Sequence, residues 1–542
     1  MSRDSCVCLI LFVLIFLLMT CTSRWIPLCW DEGDARFRAG KIAQWVADGE
    51  SQTLSGQLSR ETMADKWRFI NYKEGHPAFY AIVAAASQYG LPALWGGASG
   101  SGDARTGFLL FYSLAVAAVY YRVRKMVPDS PLSAWFACFS LVFMPRLFCL
   151  AHFSVNDSIL VSCWLLAWAT FDDSGEASNR RWFVPAIWGA FLGLACASKF
   201  TGLCAIPCFL LAGYLRPTRE TARYLFRGLA TAAIVFFLVN PPLWVDPVGG
   251  LAEFFSRNLG RENTYNLTGY FFGHRYNMTY GLPFWNTVVW VLITIPVGIL
   301  VCLGFGLNQL WRDRNRLYAP ILAANAGVLL LVRALPHAPT HDNDRLFIAA
   351  FAFLAIISGL GAGAFWKNRS FDRVWNRSGR SNPGWITGIV LTGIVLGSVS
   401  SWLIYAPSWL SYYNLAIGGL PGAYAAGMEP TYWWTDLDDE TLNWLNDNTP
   451  IGQKVRFNAC SYYNMNLLVK QGKLKRNYYP NYPGRVCWYV CQNRPSVFRE
   501  SDWERLANQT PAYVKSIPFD GWGPWNLRSV PLILVYPADE QP

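Results

Sequence analysis

Eleven runs of apolar residues, each of roughly membrane-spanning length, constrain this chain more than any other feature of its sequence. The hydrocarbon core of a bilayer is about 30 Å thick, so a helix that crosses it needs about 20 apolar residues. A helix also satisfies its own backbone hydrogen bonds, as a lipid environment requires. We therefore predict an α-helical polytopic membrane protein with about eleven transmembrane helices, the first of them an uncleaved helix. The runs lie near residues 6–22, 106–121, 131–149, 155–171, 182–198, 200–215, 225–244, 285–310, 318–335, 346–366 and 384–406.

The composition agrees with this fold class. Of the 542 residues, 53% are hydrophobic and only 15% are charged, whereas about 25% are charged in soluble domains. The 26 Trp, 26 Tyr and 34 Phe residues suit membrane interfaces, where an aromatic ring presents an apolar body and a polar tip. A net charge of +11 would suggest nucleic acid in a soluble protein, but here the basic residues cluster in short loops between apolar runs. The expected partner is the lipid bilayer, and not nucleic acid.

These basic loops also set the predicted orientation. If Met1 is cytoplasmic, most of the Lys and Arg residues between the runs face the cytoplasm, as the positive-inside rule requires. We therefore expect a cytoplasmic N-terminus and an extracytoplasmic C-terminal region, in a bacterial inner (cell) membrane rather than the ER. The inside loops contain Arg122, Arg124, Lys125, Arg180, Arg181, Arg216, Arg219, Arg223, Arg227, Arg312, Arg314, Arg316, Lys367, Arg369, Arg373, Arg377 and Arg380. The short outside loops contain only Arg146, Lys199, Arg333 and Arg345.

The predicted organisation has two parts. Residues 1–406 form a transmembrane module with outer loops at about 23–105 and 245–284, and residues 407–542 form an extracytoplasmic domain. Within the first outer loop, residues 77–97 carry no charge and could span the membrane, but a span here would place every later Arg-rich loop outside. We therefore expect a helix at the outer membrane interface, and its internal Gly-Leu-Pro also argues against a straight span.

The C-terminal region changes abruptly in composition and predicts a small α/β domain. Strands are expected at Val455–Asn458 and Val530–Tyr536, and a capped helix at Asp438–Asn446. Three cysteines in this region would face an oxidising compartment, so one disulfide is expected. The sequence leaves its pairing open among Cys460, Cys487 and Cys491.

Acidic residues near the outer ends of two predicted helices are the first candidates for chemistry. Asp31 and Glu32 follow the first run in Trp30-Asp31-Glu32-Gly33-Asp34, and Asp157 begins the fourth run. A carboxylate at such a surface can act as a general base towards an acceptor hydroxyl. The alternatives are a solvated loop for the first pair and a helix cap or interfacial residue for Asp157.

Cationic or hydrogen-bond-donating residues are predicted on the same side of the membrane. They are suited to a phosphate group, which an arginine can bind with two parallel hydrogen bonds. Each also has a structural alternative: an interfacial histidine, a lysine that reaches the membrane surface, or an arginine that is the counter-ion of Asp342 or Asp344. The candidates are His76, Lys199, His341 and Arg345.

The order of these features resembles the GT-C superfamily of glycosyltransferases that use lipid-carrier sugars. The chain is most similar to the protein O-mannosyltransferases and to the lipid A aminoarabinose transferase, over most of residues 1–435. The matching segments are short and all are predicted at the outer face. They are Asp31-Glu32, His76-Pro77-Ala78-Phe79-Tyr80, Asp157, Gly193-Leu194-Ala195-Cys196-Ala197-Ser198-Lys199, His341 to Arg345, Tyr412-Tyr413-Asn414, Gly418-Gly419 and Tyr432-Trp433-Trp434.

This resemblance implies a glycosyltransferase that moves a sugar from a polyprenyl-phosphate carrier to a hydroxyl acceptor at the outer membrane face. Asp31 would be the catalytic base, with Glu32 and Asp157 in the same acidic site. His76 would contact the carrier phosphate, where the aminoarabinose enzyme has lysine. The C-terminal region differs from the repeat domain of eukaryotic mannosyltransferases, which leaves the acceptor open among protein, lipid and glycan.

Two other classes of protein remain as alternatives. A transporter or flippase of lipid-linked or small substrates would show paired inverted halves with broken helices near the midplane, and the sequence has no matching halves. A non-catalytic scaffold or receptor would leave the acidic residues unexplained. No metal is expected to be obligatory, because the carrier phosphate is itself the leaving group, although Asp31 and Glu32 have the oxygen ligands for a divalent cation.

Overall fold

The computed structural model describes most of the chain, and its helices follow the predicted runs. It describes residues 3–49, 53–67, 76–94, 97–98, 100–172, 183–260, 267–368, 385–475, 484–517 and 529–538. The predicted basic loop residues Arg180, Arg181, Arg369, Arg373, Arg377 and Arg380 lie outside these ranges.

Helices occupy all eleven apolar runs in the described part of the chain. Four of the runs are divided into shorter segments. The helices are Arg3–Ser23, Thr106–Met126, Pro131–Phe143 followed by Pro145–His152, Asn156–Thr170, Phe183–Cys196, the 3-10 turn Phe200–Cys204 followed by Ala205–Leu215, Arg219–Leu238, Asn286–Thr294 followed by Val297–Arg312, Tyr318–Arg333, the 3-10 turn Asn343–Phe347 followed by Ile348–Asn368, and Trp385–Ile404.

Not all of these helices are long enough to cross a bilayer by themselves. Among the described residues, five helices have the length and hydropathy of a span, and a sixth is added if one bent pair counts as one span. That pair bends by 68° between Phe143 and Pro145, where the proline ring cannot continue a helix without displacing the preceding turn. The remaining apolar helices are shorter. The predicted fold class, a polytopic helical membrane protein with a small C-terminal sheet domain, is confirmed.

The described segments that connect the membrane helices are also largely helical. The stretch predicted as an interfacial helix forms Phe79–Ala85, a π-helical turn Ala86–Gly90 and Leu91–Leu94; its position relative to the bilayer stays a prediction. The other helices are Glu32–Asp48, Leu54–Gln57, Arg60–Lys66, Pro242–Val245 and Pro247–Leu259. A short antiparallel hairpin joins β1 (Gly269–Phe271) to β2 (His274–Tyr276).

The C-terminal region contains a four-stranded mixed sheet in the order β3-β4-β6-β5. The strands β3 (Lys454–Phe457) and β4 (Val486–Gln492) are parallel, and β6 (Val530–Pro537) pairs antiparallel with both β4 and β5 (Tyr513–Ile517). The helices are Gly419–Ala425, Asp439–Asn448, Tyr462–Lys470 and Glu500–Asn508.

The predicted elements of this region agree with the structure to within one or two residues. The Asp438 carboxylate caps the helix Asp439–Asn448 by accepting a hydrogen bond from the Thr441 backbone N–H at 3.0 Å. The expected disulfide is not formed, because all three cysteines are thiols. Cys487 and Cys491 lie four residues apart on one strand, about 13 Å at the rise of an extended chain. A disulfide needs Cα atoms within about 7 Å.

The membrane helices pack closely where glycines face a neighbouring backbone. A Cβ atom on Gly306, in the helix Val297–Arg312, would collide with the carbonyl group of Ile357 in the helix Ile348–Asn368. Small residues at such contacts let membrane helices approach each other closely. Gly304 lies on the same helix two residues earlier, and a Cβ there would meet nothing within 4 Å.

These two glycines give a matched test of the packing. We expect Gly306→Ala to lower the thermal unfolding temperature in detergent, because overpacking costs about 1–3 kcal/mol. Gly304→Ala should leave it unchanged or raise it, since alanine is the better helix former by up to about 1 kcal/mol. Equal unfolding temperatures for the two variants would contradict this account of the interface.

Candidate active site

A cavity of about 640 Å³ lies between the membrane helices and the C-terminal domain. Its lining includes five of the seven site residues predicted from the sequence: Asp31, His76, Lys199, His341 and Arg345. It also includes Trp30, Arg333, Trp433, Trp434 and Arg494. Glu32 and Asp157 are not part of the lining. Glu32 follows Asp31 directly in the sequence, and Asp157 forms ion pairs with Lys199 and Arg345, which do line the cavity.

Asp31 exposes its carboxylate to this cavity, and two hydrogen bonds fix the orientation of that carboxylate. Its Oδ2 accepts hydrogen bonds from Arg345 Nη1 at 2.7 Å and from the Trp433 indole N–H at 3.0 Å. The side chain nevertheless keeps 42% of its surface exposed. Asp31 therefore combines two directed contacts with access to a bound molecule.

Arg345 is the cation at the centre of the site. Its guanidinium nitrogens approach carboxylate oxygens of Asp31 at 2.7 Å, Asp342 at 2.9 Å and Asp157 at 3.8 Å. The guanidinium carbon lies 4.2 Å from the ring centre of Trp433. The closest polar contacts of the buried Arg345 are thus with carboxylates. These contacts hold Asp31 in place, and binding of a phosphate stays a prediction for Arg345.

Asp157 lies behind the cavity and holds two of its cations. Its Oδ1 accepts a hydrogen bond from Lys199 Nζ at 2.5 Å, and its Oδ2 is 3.8 Å from Arg345 Nε. The side chain is only 3% exposed. It occupies the first turn of the helix Asn156–Thr170, where the helix dipole favours a negative charge. This geometry supports an ion-pair role for Asp157 rather than direct contact with a substrate.

Glu32, which was predicted in the same acidic site as Asp31, does not line the cavity. Its carboxylate is fully buried and pairs with Arg105 through two hydrogen bonds of 2.7 and 2.6 Å. It also accepts hydrogen bonds from the backbone N–H and hydroxyl of Ser154 and from the Cys29 N–H. Burial raises the pKa of Glu32, but Arg105 outweighs that effect and holds the pKa below its usual value. Glu32 therefore ties the Asp31 loop to the segment that precedes Asp157.

The segment from His341 to Arg345 adopts a conformation that is rare outside glycine. Asp342 and Asn343 have φ angles of 58° and 49°, a left-handed backbone that persists only where surrounding contacts enforce it. Asp342 bridges Arg345 and Arg494, whose Nη2 lies 2.8 Å from Asp342 Oδ1. Burial raises the pKa of the Asp342 carboxyl, but Arg345, Arg494 and His341 together hold it well below its ordinary value.

The next residue of this segment is anchored separately. The buried Asp344 carboxylate pairs with Arg146 Nη1 at 2.6 Å. The Arg146 guanidinium lies 4.5 Å from the ring centre of Tyr413 and 5.2 Å from that of Tyr432. Asp342, and not Asp344, is therefore the local counter-ion of Arg345, and Asp344 fixes the segment to the aromatic residues that follow the last membrane helix.

The C-terminal region packs against the loop that carries Asp31. The Trp30 N–H donates to the Trp433 carbonyl at 3.0 Å, and the Trp30 and Trp434 rings lie 4.0 Å apart. Asn464 accepts a hydrogen bond from the Gly33 N–H and donates one to the Cys29 carbonyl, both at 2.8 Å. A Cβ on Gly33 would collide with Asn464, so glycine is required for this approach.

Sequence reasoning missed Arg494 and Asn464. Both come from the C-terminal domain, more than 430 residues after Asp31, and neither belongs to a recognisable local pattern. The one available indication for Arg494 is its position directly after the buried end of β4. Its contact with the cavity depends on how the domain docks, which local sequence does not encode.

Within the ranges that the structure describes, no group of three or more His, Cys, Asp or Glu side chains could hold a metal ion. Asp31 and Glu32, the expected oxygen ligands, point to different partners, since Glu32 is committed to Arg105. The expectation that no metal is obligatory stays a prediction.

Comparison with known proteins bears on the same features. Residues 93–244 match the family model described as dolichyl-phosphate-mannose-protein mannosyltransferase. This is well under half of the chain, and of the predicted site residues it includes Asp157 and Lys199. No curated protein matches the sequence.

Solved structures give a likeness over nearly the whole chain. ArnT from Cupriavidus metallidurans in the apo state shares 14% identity over 97% of each chain with a TM-score of 0.50. The same protein bound to undecaprenyl phosphate shares 14% identity over 98% of each chain with a TM-score of 0.49. The archaeal oligosaccharyltransferase AglB from Archaeoglobus fulgidus, in complex with an inhibitory peptide and a dolichol-phosphate, has 15% identity and a TM-score of 0.44. That alignment covers 90% of this chain and 69% of AglB.

Because the identity is only 14%, the likeness to apo ArnT shows a shared fold and nothing about function. Together with the family match, it confirms the resemblance to the GT-C glycosyltransferases that the sequence indicates.

The role of Glu32 can be tested through stability. Glu32→Ala leaves the buried Arg105 without its carboxylate, so we expect the free energy of unfolding to fall by about 3–5 kcal/mol. The double variant Glu32→Ala/Arg105→Met should recover part of this loss. Because the pKa of Glu32 is lowered in the folded state, its contribution is fully present above the unfolded pKa of about 4.3 and is lost as the pH falls from there through the lower pKa of the folded protein. A Glu32→Ala protein with normal unfolding but no activity would contradict this structural role and support the predicted catalytic role of Glu32.

Proposed function

We propose that this chain is a membrane glycosyltransferase that moves a sugar from a polyprenyl-phosphate carrier to a hydroxyl group of a protein, lipid or glycan acceptor. The observation that carries the proposal is Asp31, an oriented and partly exposed carboxylate on the wall of a cavity that also contains several cations. The family that residues 93–244 match is described by a dolichyl-phosphate sugar, which supports this class of donor.

Asp31 is the proposed general base. Its carboxylate accepts the proton of the acceptor hydroxyl as the acceptor oxygen forms a bond to the anomeric carbon of the sugar. The bond between that carbon and the carrier phosphate oxygen breaks, and the carrier phosphate leaves with the electron pair. General-base assistance of this kind is typically worth about 10²–10⁴-fold in rate. The hydrogen bonds from Arg345 and Trp433 set the direction of the carboxylate.

The cations of the cavity suit the negative charge that the leaving phosphate carries. Side chains of Lys199 and Arg333 line the same cavity as Asp31, together with His76 and His341. Hydrogen bonds from ionised donors to phosphate oxygens are about twice as strong as neutral ones. Lys199 is held by Asp157, so its ammonium group is placed before the carrier arrives.

The proposal includes a location. The cavity residues come from segments that the Lys and Arg distribution assigns to the outer face, with the N-terminus in the cytoplasm. A bacterial cell membrane is the proposed setting. A transporter would instead need ionisable groups along a path through the membrane, whereas Asp31, Asp157 and Asp342 meet around one arginine.

The proposal is tested with purified protein and a panel of polyprenyl-phosphate sugars, by measuring the release of the free carrier phosphate. We expect release with at least one sugar when a hydroxyl acceptor is present. Asp31→Asn should reduce turnover by at least about 10²-fold, because asparagine keeps the shape but cannot accept the proton. Carrier binding should survive this change.

Asp157→Asn is the matched control for the loss of one carboxylate. It should reduce turnover less than Asp31→Asn and should weaken carrier binding, because Lys199 loses its buried partner. A nearly normal Asp31→Asn enzyme beside an inactive Asp157→Asn enzyme would transfer the base to Asp157. Full activity in both variants would exclude the acidic site.

A further inference from the structure

Three ion pairs in sequence connect the C-terminal domain to Asp31. Arg494 Nη2 lies 2.8 Å from Asp342 Oδ1, Asp342 Oδ2 lies 2.9 Å from Arg345 Nη2, and Arg345 Nη1 lies 2.7 Å from Asp31 Oδ2. Asp342 and Arg345, the two middle members of this series of ion pairs, each use a different atom for each neighbour. A planar guanidinium transmits orientation through such paired contacts, because its donors have fixed directions.

Arg494 is held firmly at the start of this chain. The side chain is only 2% exposed, and its guanidinium carbon lies 4.1 Å from the ring centre of Trp434. Its Nε donates to the Ser496 hydroxyl at 3.2 Å. The strand end that carries Arg494 is fixed by Asn493, which bonds to the carbonyls of Leu532 and Pro531 at the neighbouring strand β6.

Arg494 is shared between two buried carboxylates, Asp342 at 2.8 Å and Glu429 at 3.9 Å. Asp342 is the closer partner, and through it Arg494 joins Lys199 and Arg345 as the cations that face Asp31, Asp157 and Asp342. Without Arg494, the buried Asp342 would keep Arg345 as its cation within hydrogen-bond distance, with His341 Nε2 3.8 Å away, and would compete with Asp31 for the Arg345 guanidinium. A buried carboxylate is costly unless it is paired, so this competition would displace Arg345 towards Asp342.

We propose, on the basis of the function proposed above, that Arg494 is a positioning residue of the C-terminal domain that aligns Asp31 for proton transfer through Asp342 and Arg345. Docking of the C-terminal domain thereby completes the active site. Arg494 acts on the rate of the chemical step and not on the affinity for the carrier. Asp342, which makes both arginine contacts, has a left-handed backbone, a conformation that surrounding contacts must stabilise.

The test is a double-mutant cycle on turnover with Arg494→Ala, Asp342→Asn and the two combined. Asparagine tolerates the left-handed backbone, so Asp342→Asn removes the charge with little strain. We expect Arg494→Ala to reduce kcat by up to about 100-fold, as small misplacements of a catalytic group do. The double variant should be no slower than the slower single variant, because both changes break the same link.

Affinity for polyprenyl phosphate, measured without turnover, distinguishes positioning from direct binding. It should be unchanged in Arg494→Ala, and Arg494→Lys should restore part of kcat. Arg505→Ala is the control: Arg505 belongs to the same domain, stacks on Tyr489 at 4.7 Å and does not line the cavity, so kcat should stay normal. If Arg494→Ala does not fold, Asp342→Asn and Arg494→Lys carry the comparison, and normal kcat in both would overturn the proposal.

Two further outcomes would also overturn it. Multiplied losses in the double variant would show that Arg494 and Asp342 act independently. Weakened carrier binding with an unchanged kcat would make Arg494 a phosphate ligand. A wild-type protein that releases no carrier phosphate from any sugar of the panel would instead contradict the proposed function itself.

Discussion

The ion pair between Asp31 and Arg345 is the contact on which the rest of the site depends. It joins the loop after the first membrane helix to the segment that begins the helix Ile348–Asn368, across 314 residues of sequence. A guanidinium as buried as that of Arg345 is stable only with compensating charge, and Asp342 and Asp157 supply the remainder. Three acids from separate segments of the chain, Asp31, Asp157 and Asp342, thus meet one arginine.

The second layer of contacts restrains the segments that carry these acids. Glu32 and Arg105 fix the Asp31 loop from the membrane side, while Asn464 and Trp433 fix it from the C-terminal domain. Asp31 is thus confined on both sides but remains exposed to the cavity. The left-handed backbones at Asp342 and Trp433 are conformations that other contacts must stabilise, and they occur where the arginine and the two domains meet.

The sequence predicted the helices well because bilayer thickness and hydropathy determine them locally. It also predicted Asp31, His76, Lys199, His341 and Arg345, which the structure places around one cavity, since charge at the ends of apolar runs is conspicuous. It could not separate the positions of Asp31 and Glu32, because the burial of Glu32 depends on Arg105, 73 residues later. Arg494 was missed for the same physical reason: its position is set by the docking of a sheet domain, and no local pattern encodes that contact.

A structure of the Asp31→Asn protein in lipid nanodiscs with a bound polyprenyl-phosphate sugar would test the central claim most directly. The account predicts that the anomeric carbon lies at the cavity wall beside residue 31, with the carrier phosphate against Lys199 and the neighbouring cations and space for a hydroxyl between residue 31 and the sugar. A phosphate bound away from this cavity, or a sugar whose anomeric carbon faces Asp157 instead, would contradict it.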